Sequence, residues 1–348
     1  MIKTLNLSKR FGGFLLDDIN LNIDKGEYFV ILGPSGAGKT CFLETIAGIY
    51  EPDKGEIWLN GKEISKLPPE TRNIGLVFQD SALFPHLKVI DNVKYGLKIK
   101  KFKPKEIKEK VDNVLELLHI SQIKNAYPKS ISGGEKKRVA LARTLVLEPK
   151  ILLLDEPLSA IHPNLKRKLQ EEIRSIHQEL NITTIHVTHD FNTAVSLADK
   201  IGIMNQGRIV QIGVPEKVFQ QPNSEFVAQF VGCENLFKGN LIEDNGVKKF
   251  KNERLSFQVT TSHKGQAYVS IRPEDIIISK NPLVSTSARN CLLGKIAKII
   301  EKGPIVKVVV DAGEDFMVLI TKESLKDLEL KIGEIIYLVF KVVAVHVF

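Results

Sequence analysis

Gly33-Pro-Ser-Gly-Ala-Gly-Lys39-Thr40 is the stretch on which the fold turns. It satisfies G-x-x-x-x-G-K-[ST] and stands between the apolar run Tyr28-Phe-Val-Ile-Leu32 and a helical stretch. That strand–loop–helix setting is what a phosphate-cradling P-loop needs. A continuous apolar run that stops at a glycine has the pattern of a fully buried strand. The glycines let the backbone come close to a ligand, and successive N–H groups at a helix N-terminus form an anion nest. Lys39 supplies a point charge for β- and γ-phosphates, and Thr40 offers a hydroxyl to Mg2+. The eight positions Gly33, Pro34, Ser35, Gly36, Ala37, Gly38, Lys39 and Thr40 specify nucleotide binding and nothing narrower.

Three further pieces narrow the chemistry. Ile151-Leu-Leu-Leu154 reads as a second buried strand and ends in Asp155-Glu156. Asp155 is placed to hold Mg2+ through water, and Glu156 to polarise an attacking water as general base. Ser132-Gly133-Gly134-Glu135 precedes a basic and apolar helical run, which makes a second anion-binding helix start. One nucleotide already has its phosphates in the P-loop, so a second phosphate surface suggests two chains sandwiching ATP. His189 follows the strand-like Thr184-Ile-His-Val-Thr188 and can reach a γ-phosphate.

Around these motifs, strand and helix patterns alternate as far as about Val231. Ile19, Leu21 and Ile23 alternate as a half-buried strand, and Asn60-Gly61 marks a hairpin. Val111, Leu115 and Leu118 share a helix face, and Leu165, Leu169, Ile173, Ile176 and Leu180 form a longer stripe. Such alternation implies an α/β layer with a mainly parallel sheet. Beyond Cys233 the runs are short and β-rich, separated by Gly, Asp and Asn, which predicts a small all-β, barrel-like domain.

Composition sets the outer limits. A chain of 348 residues suits two domains, and 43% hydrophobic with 26% charged residues excludes disorder. The net charge of +8 is modest, and the run Lys98 to Lys105 lacks the arginine and aromatic interleaving of a nucleic-acid face. No nucleic-acid partner is expected. Cys41, Cys233 and Cys291 have no CxxC or metal spacing, which excludes a disulfide framework and fits a reducing compartment. No apolar run reaches the ~18 residues of a membrane span, and the start lacks a signal peptide's apolar region. A soluble, cytosolic chain is expected, held at a membrane only through partners.

Taken in order, these pieces resemble the ATP-binding subunit of ABC transporters. The likeness covers the P-loop at 33–40, Gln79 in Val-Phe-Gln-Asp, Ile-Ser-Gly-Gly-Glu at 131–135, the strand and carboxylates at 151–156, and His189. It implies an α/β P-loop NTPase domain with an inserted helical subdomain at about 85–150, ATP and Mg2+ as cofactors, and a homodimer. It also implies Phe11 stacking on adenine, Gln79 reaching Mg2+ or water, and Ser81-Ala-Leu-Phe-Pro85 near two transmembrane permease subunits. The place of action would be peripheral, on the cytoplasmic face of the membrane, with an extracytoplasmic solute-binding protein delivering cargo. Four residues depart from the family pattern. Ile131 and Glu135 stand for its usual Leu and Gln, His162 for an Asp, and Cys41 for a second Thr or Ser.

The second domain is expected over 233–348, after an ATP-binding domain at 1–232. Ser270-Ile-Arg-Pro-Glu-Asp275 resembles the accessory β-barrels of importer ATPases, and from about 285 the chain resembles a molbindin-type domain with an OB-like barrel. That likeness implies molybdate or tungstate as cargo, with feedback by oxyanion bound to the domain. Tetrahedral dianions need several donors, and Ser287, Arg289, Lys295, Thr321, Lys322 and Ser324 offer hydroxyls and cations. The plainer reading is that these serines cap turns and the lysines are surface. Sulfate, ferric iron or a sugar remain alternative cargoes.

Overall fold

The computed structural model describes residues 2–159, 163–244, 246–283 and 286–348. His162 and the side chain of Leu165 lie outside the described residues. The chain divides into two compact units, Met1–Val218 and Phe219–Phe348.

The first unit begins with β1 (Ile2–Phe11), β2 (Phe14–Ile23), β3 (Tyr28–Leu32), α1 (Lys39–Ala47), β4 (Lys54–Leu59), β5 (Lys62–Glu63) and β6 (Ile74–Val77). A helical stretch follows, with α2 (Val89–Ile99), α3 (Pro104–Leu117) and α4 (Gly133–Leu145). The chain then returns through β7 (Ile151–Asp155), α5 (Pro163–Leu180), β8 (Thr183–Thr188), α6 (Phe191–Leu197), β9 (Lys200–Asn205) and β10 (Arg208–Gly213). A small antiparallel sheet has the order β2-β1-β4-β5, and a six-stranded sheet has the order β10-β9-β3-β8-β7-β6. The latter is parallel except at its β9–β10 edge. Every residue of β3 and β7 is buried, which is why both read as unbroken apolar runs.

Register places the site. Leu32 pairs with Thr188, and Asp155 pairs with Val187. The next residues, Gly33, Glu156 and His189, therefore leave the sheet at the same carboxyl edge, where open α/β sheets bind ligands. The loop before α2 is held by Asn92, which is fully buried. Its side chain accepts from Phe84 N at 2.8 Å and donates to Phe84 O at 3.1 Å and Leu87 O at 3.0 Å.

After α7 (Pro215–Gln220) and α8 (Glu225–Phe230), the second unit is built from β11 (Asn235–Asp244), β12 (Val247–Lys251), β13 (Ser256–Gln258), β14 (Gly265–Ile271) and β15 (Ile277–Ser279). It continues with β16 (Asn290–Lys302), β17 (Ile305–Asp311), β18 (Asp315–Thr321), α9 (Lys322–Asp327), β19 (Ile335–Phe340) and β20 (Val345–Val347). Two five-stranded antiparallel sheets result, β13-β12-β11-β14-β20 and β15-β19-β16-β17-β18. They share one OB-like core, in which Phe237, Phe250 and Phe257 meet Phe316 and Phe340. Buried Asn235 ties the sheets together, donating to Ile271 O and Met317 O and accepting from Met317 N.

The division falls before the expected boundary at 232/233 because residues 219–231 are tied to the β-rich unit. Arg272 donates to Phe219 O, Tyr268 donates to Glu225, and the His346 ring bonds Pro222 O. Arg-Pro-Glu-Asp is thus a structural clasp, with Pro273–Asp275 as a 3-10 turn. The helix α9 escapes the β-only expectation because six residues are too few to show a period. No helix among the described residues is long and apolar enough to cross a membrane.

Candidate active site

The P-loop begins where β3 ends, and its glycines are required by geometry. Gly38 has φ +101°, and a Cβ there would lie 2.5 Å from the Phe14 ring. A Cβ on Gly33 would lie 2.3 Å from Met204 O. At Gly38 both the conformation and the Phe14 ring oppose another residue, and at Gly33 the backbone oxygen leaves no space for one. α1 starts at Lys39 directly after Gly38, so its free N–H groups face the loop. The largely buried Lys39 ammonium folds back on Gly33 O at 2.8 Å and Pro34 O at 3.1 Å. Burial pushes its pKa down, against the pull of Glu156 and Asp155. An arriving phosphate would give this crowded cation a stronger partner.

Thr40 Oγ1 donates to both oxygens of Asp155, each at 3.1 Å. Asp155 is only 4% exposed. Burial raises its pKa, while the Thr40 hydroxyl, Lys39 and Lys137 act to keep it ionised. This hydroxyl–carboxylate pair is a hard-oxygen set of the kind Mg2+ takes. Among the described residues no cluster of three or more His, Cys, Asp and Glu could cage a metal by itself. A cation here would therefore share its coordination with phosphate oxygens and water, as Mg2+ commonly does. Gln79 stays exposed and offers its carbonyl to Lys137 at 2.8 Å.

Glu156 is fixed from several sides. Its N–H donates to Val187 O, continuing the β7–β8 alignment. One carboxylate oxygen lies 2.8 Å from His189 Nδ1, and the other accepts from Thr188 Oγ1 at 3.2 Å. The Glu156 side chain is 13% exposed and that of His189 is 63% exposed. A largely covered carboxylate thus meets a solvent-facing imidazole at the mouth of the site. Thr188 was missed in the sequence, although its place beside His189 at a strand end was the available signal.

Phe11 packs edge-on against Tyr50, with ring centroids 4.9 Å apart and planes at 88°. The pair makes a broader aromatic surface than Phe11 alone. The Ser132–Glu135 segment caps α4 by a reciprocal box. Glu135 N donates to Ser132 Oγ at 3.3 Å, and Ser132 N and Oγ both donate to Glu135 Oε2 at 2.8 Å. The Ser132 backbone and hydroxyl hold the Glu135 carboxyl below the usual range. Glu135 therefore serves the helix as a cap, and buried Ile131 fills an apolar position. Gly133 and Gly134 form the first turn. Among the described residues, no hydrogen bond links Ser132–Glu135 to the P-loop.

In the second unit, Lys295 and Thr321, both expected to hold an oxyanion, lie at opposite ends of one sheet. Ser287, Arg289 and Lys295 lie before or early in β16, with Lys295 paired to Asp311 and Ile335. Thr321, Lys322 and Ser324 lie at the far end of that sheet, where Thr321 pairs with Ile305 and Ile305 with Lys302. Seven strand positions separate Lys295 from Lys302, about 20 Å at the usual strand rise. Thr321 caps α9 by accepting from Ser324 N at 3.1 Å, and Lys322 pairs with Glu301 at 2.8 Å. Local capping and pairing already engage these groups.

A P-loop, a hydroxyl paired with a buried carboxylate and an oriented glutamate on one sheet edge define a nucleoside-triphosphate hydrolase. The ABC transporter family profile matches residues 16–159, and the TOBE domain profile matches residues 286–347. Among relatives, the molybdate/tungstate import ATP-binding protein WtpC of Pyrococcus abyssi is 43% identical over 100% of both chains. The protein of the same name from Pyrococcus horikoshii is 43% identical, again over 100% of both chains. Among solved structures, cbiO1 of Clostridium perfringens, part of the ABC transporter complex cbiONQ, superposes with a TM-score of 0.59. It is 34% identical, over 63% of this chain and 90% of that one. The chain belongs to the ATP-binding proteins of ABC transporters and hydrolyses ATP in an import system.

Proposed function

We propose that this chain powers the uptake of molybdate or tungstate. It works as a homodimer beneath two permease subunits on the cytoplasmic face of the membrane, with a solute-binding protein delivering cargo outside. The observation that carries the cargo is the 43% identity to molybdate/tungstate importers across the entire length, the β-rich unit included. In this reading the loop Gly33–Thr40 binds the phosphates and Phe11 meets adenine. Lys39 neutralises the β- and γ-phosphate charge. Ser132–Glu135 of the partner copy closes on the same nucleotide. Thr40, Asp155 and Gln79 would hold Mg2+, which when bound neutralises phosphate charge. Glu156 takes a proton from the attacking water while His189 and Thr188 keep its carboxylate in place.

Reconstitution with the permease subunits in liposomes tests the cargo. ATP turnover should rise with solute-binding protein loaded with molybdate or tungstate. A response confined to sulfate, ferric iron or a sugar would reassign it.

Oxyanion bound to the β-rich unit would act as a feedback signal. Because Lys295 lies about 20 Å along β16 from the end where Thr321 and Lys322 sit, an oxyanion site that uses all six residues would draw on two copies. Free molybdate should then lower the turnover of the assembled transporter. An unchanged rate into the millimolar range would remove the regulatory role.

A further inference from the structure

The side chain of Lys137 reaches from α4 into the junction of three functional segments. Its ammonium donates to Gln79 O at 2.8 Å and lies 3.4 Å from Glu156 O and 3.5 Å from Ser159 Oγ. The carboxylates of Asp80, Glu156 and Asp155 surround it, while burial acts in the opposite sense and lowers its pKa overall. The cation is therefore neither a solvated surface charge nor one half of a simple ion pair.

A second basic side chain of the same helix grips the same loop. Arg143 donates to Ala82 O at 2.7 Å and Ser81 O at 3.2 Å, and its guanidinium lies 5.3 Å from the centre of the Phe84 ring. The carbonyls these cations hold belong largely to strained residues. Ser81, Ala82 and Glu156 have φ of 57°, 41° and 44°, a left-handed conformation uncommon for residues other than glycine. Such conformations persist where surrounding contacts over-determine them. Here two of the holding contacts come from one helix. Arg143 holds the middle of the 79–84 loop, and Lys137 holds its start together with the backbone of Glu156.

We propose that Lys137 is a positioning residue that couples the 79–84 loop to the Glu156 carboxylate. A displacement of the loop is passed through the ammonium to the backbone of the general base, and the base is aligned only when the loop is seated. The inference rests on the reading of Glu156 as base.

The test compares steady-state ATP turnover of the full-length chain with its Lys137→Met, Lys137→Arg and Glu156→Gln variants. Lys137→Met should lower kcat about tenfold or more while KM for ATP stays within about threefold, because misalignment of a reacting group costs rate rather than binding. Lys137→Arg, which keeps a cation within reach of the carbonyls, should recover most of the loss. A merely structural role would show neither the kcat–KM split nor the rescue. If Lys137→Met does not fold, Lys137→Gln carries the same expectation, since it keeps a polar side chain and removes the charge. A Glu156→Gln variant without turnover beside a Lys137→Met variant of normal kcat would overturn the coupling alone. Normal turnover in Glu156→Gln would overturn the base assignment and the coupling with it.

Discussion

The two units handle polar side chains in opposite ways. In the first, Lys39, Asp155, Glu156 and His189 arrive from separate strand ends at one carboxyl edge, and two of them are largely buried. In the second, the polar groups expected to bind an anion are spread along β16–β18 and are satisfied locally, as a helix cap at Thr321 and an ion pair at Lys322. The difference is topological. A parallel sheet brings the ends of distant strands together on one side, whereas antiparallel hairpins send successive strand ends to opposite sides. Side chains gathered at one edge are natural to the first arrangement, and side chains spread along the strands to the second.

Four measurements would break or sharpen that contrast. The largest effect belongs to Glu156→Gln. Removing the base should cut ATP turnover about a thousandfold, about 4 kcal/mol of barrier, while equilibrium ATP binding persists. Turnover at the normal rate would show that the sheet edge does not organise the chemistry as described.

Next comes Asn235→Ala in the β-rich unit. It strands Ile271 O and both backbone groups of Met317. The unit should lose about 2–3 kcal/mol of stability. Faster amide exchange in β11, β14 and β18 would report it, with ATP turnover per folded chain unchanged. Exchange at the wild-type rate would mean that Asn235 does not join the sheets.

A smaller effect concerns His186, fully buried in β8 with its Nδ1 2.9 Å from the Tyr28 hydroxyl. Burial drives its pKa from the ordinary 6.5 down to about 3. The unfolded chain takes up this proton below its ordinary pKa, and the folded chain does not until far lower. Stability should therefore be lost as pH falls from 6.5 towards 3, by at most about 1.4 kcal/mol per unit, and be unaffected by this group above that window. In His186→Gln the slope of Tm against pH between about 6.5 and 5 should flatten. An unaltered slope would mean that the imidazole titrates normally in the fold.

The smallest effect is that of Thr321→Ala, which removes the α9 cap at a cost of about 1 kcal/mol in thermal stability. If Thr321 serves only as a cap, the response of transporter turnover to molybdate should survive. Loss of that response in a folded variant would place Thr321 in an oxyanion site after all.

What could be read from the sequence was what is local along the chain. Eight consecutive residues define the P-loop because a nest of N–H groups, a lysine and a helix start must be contiguous. The unbroken apolar character of Tyr28–Leu32 and Ile151–Leu154 announced central strands for an equally local reason, burial on both faces. The change to short β runs beyond Cys233 is a local signal too, whereas the compact body that starts at Phe219 is not. The clasp of Arg272, Tyr268 and His346 on residues 219–225 joins positions far apart in the chain.

Tertiary structure alone decided the rest. The grip of Lys137 on Gln79, Glu156 and Ser159, the partnership of Tyr50 with Phe11, and the closure of the 84–88 loop by Asn92 each join residues that no spacing rule connects. It also set Lys295 and Thr321 at opposite ends of one sheet. The physical reason is common to all of these. A motif specifies which atoms are available within a few residues, but the sheet order and register specify which distant atoms share a dielectric and a hydrogen bond.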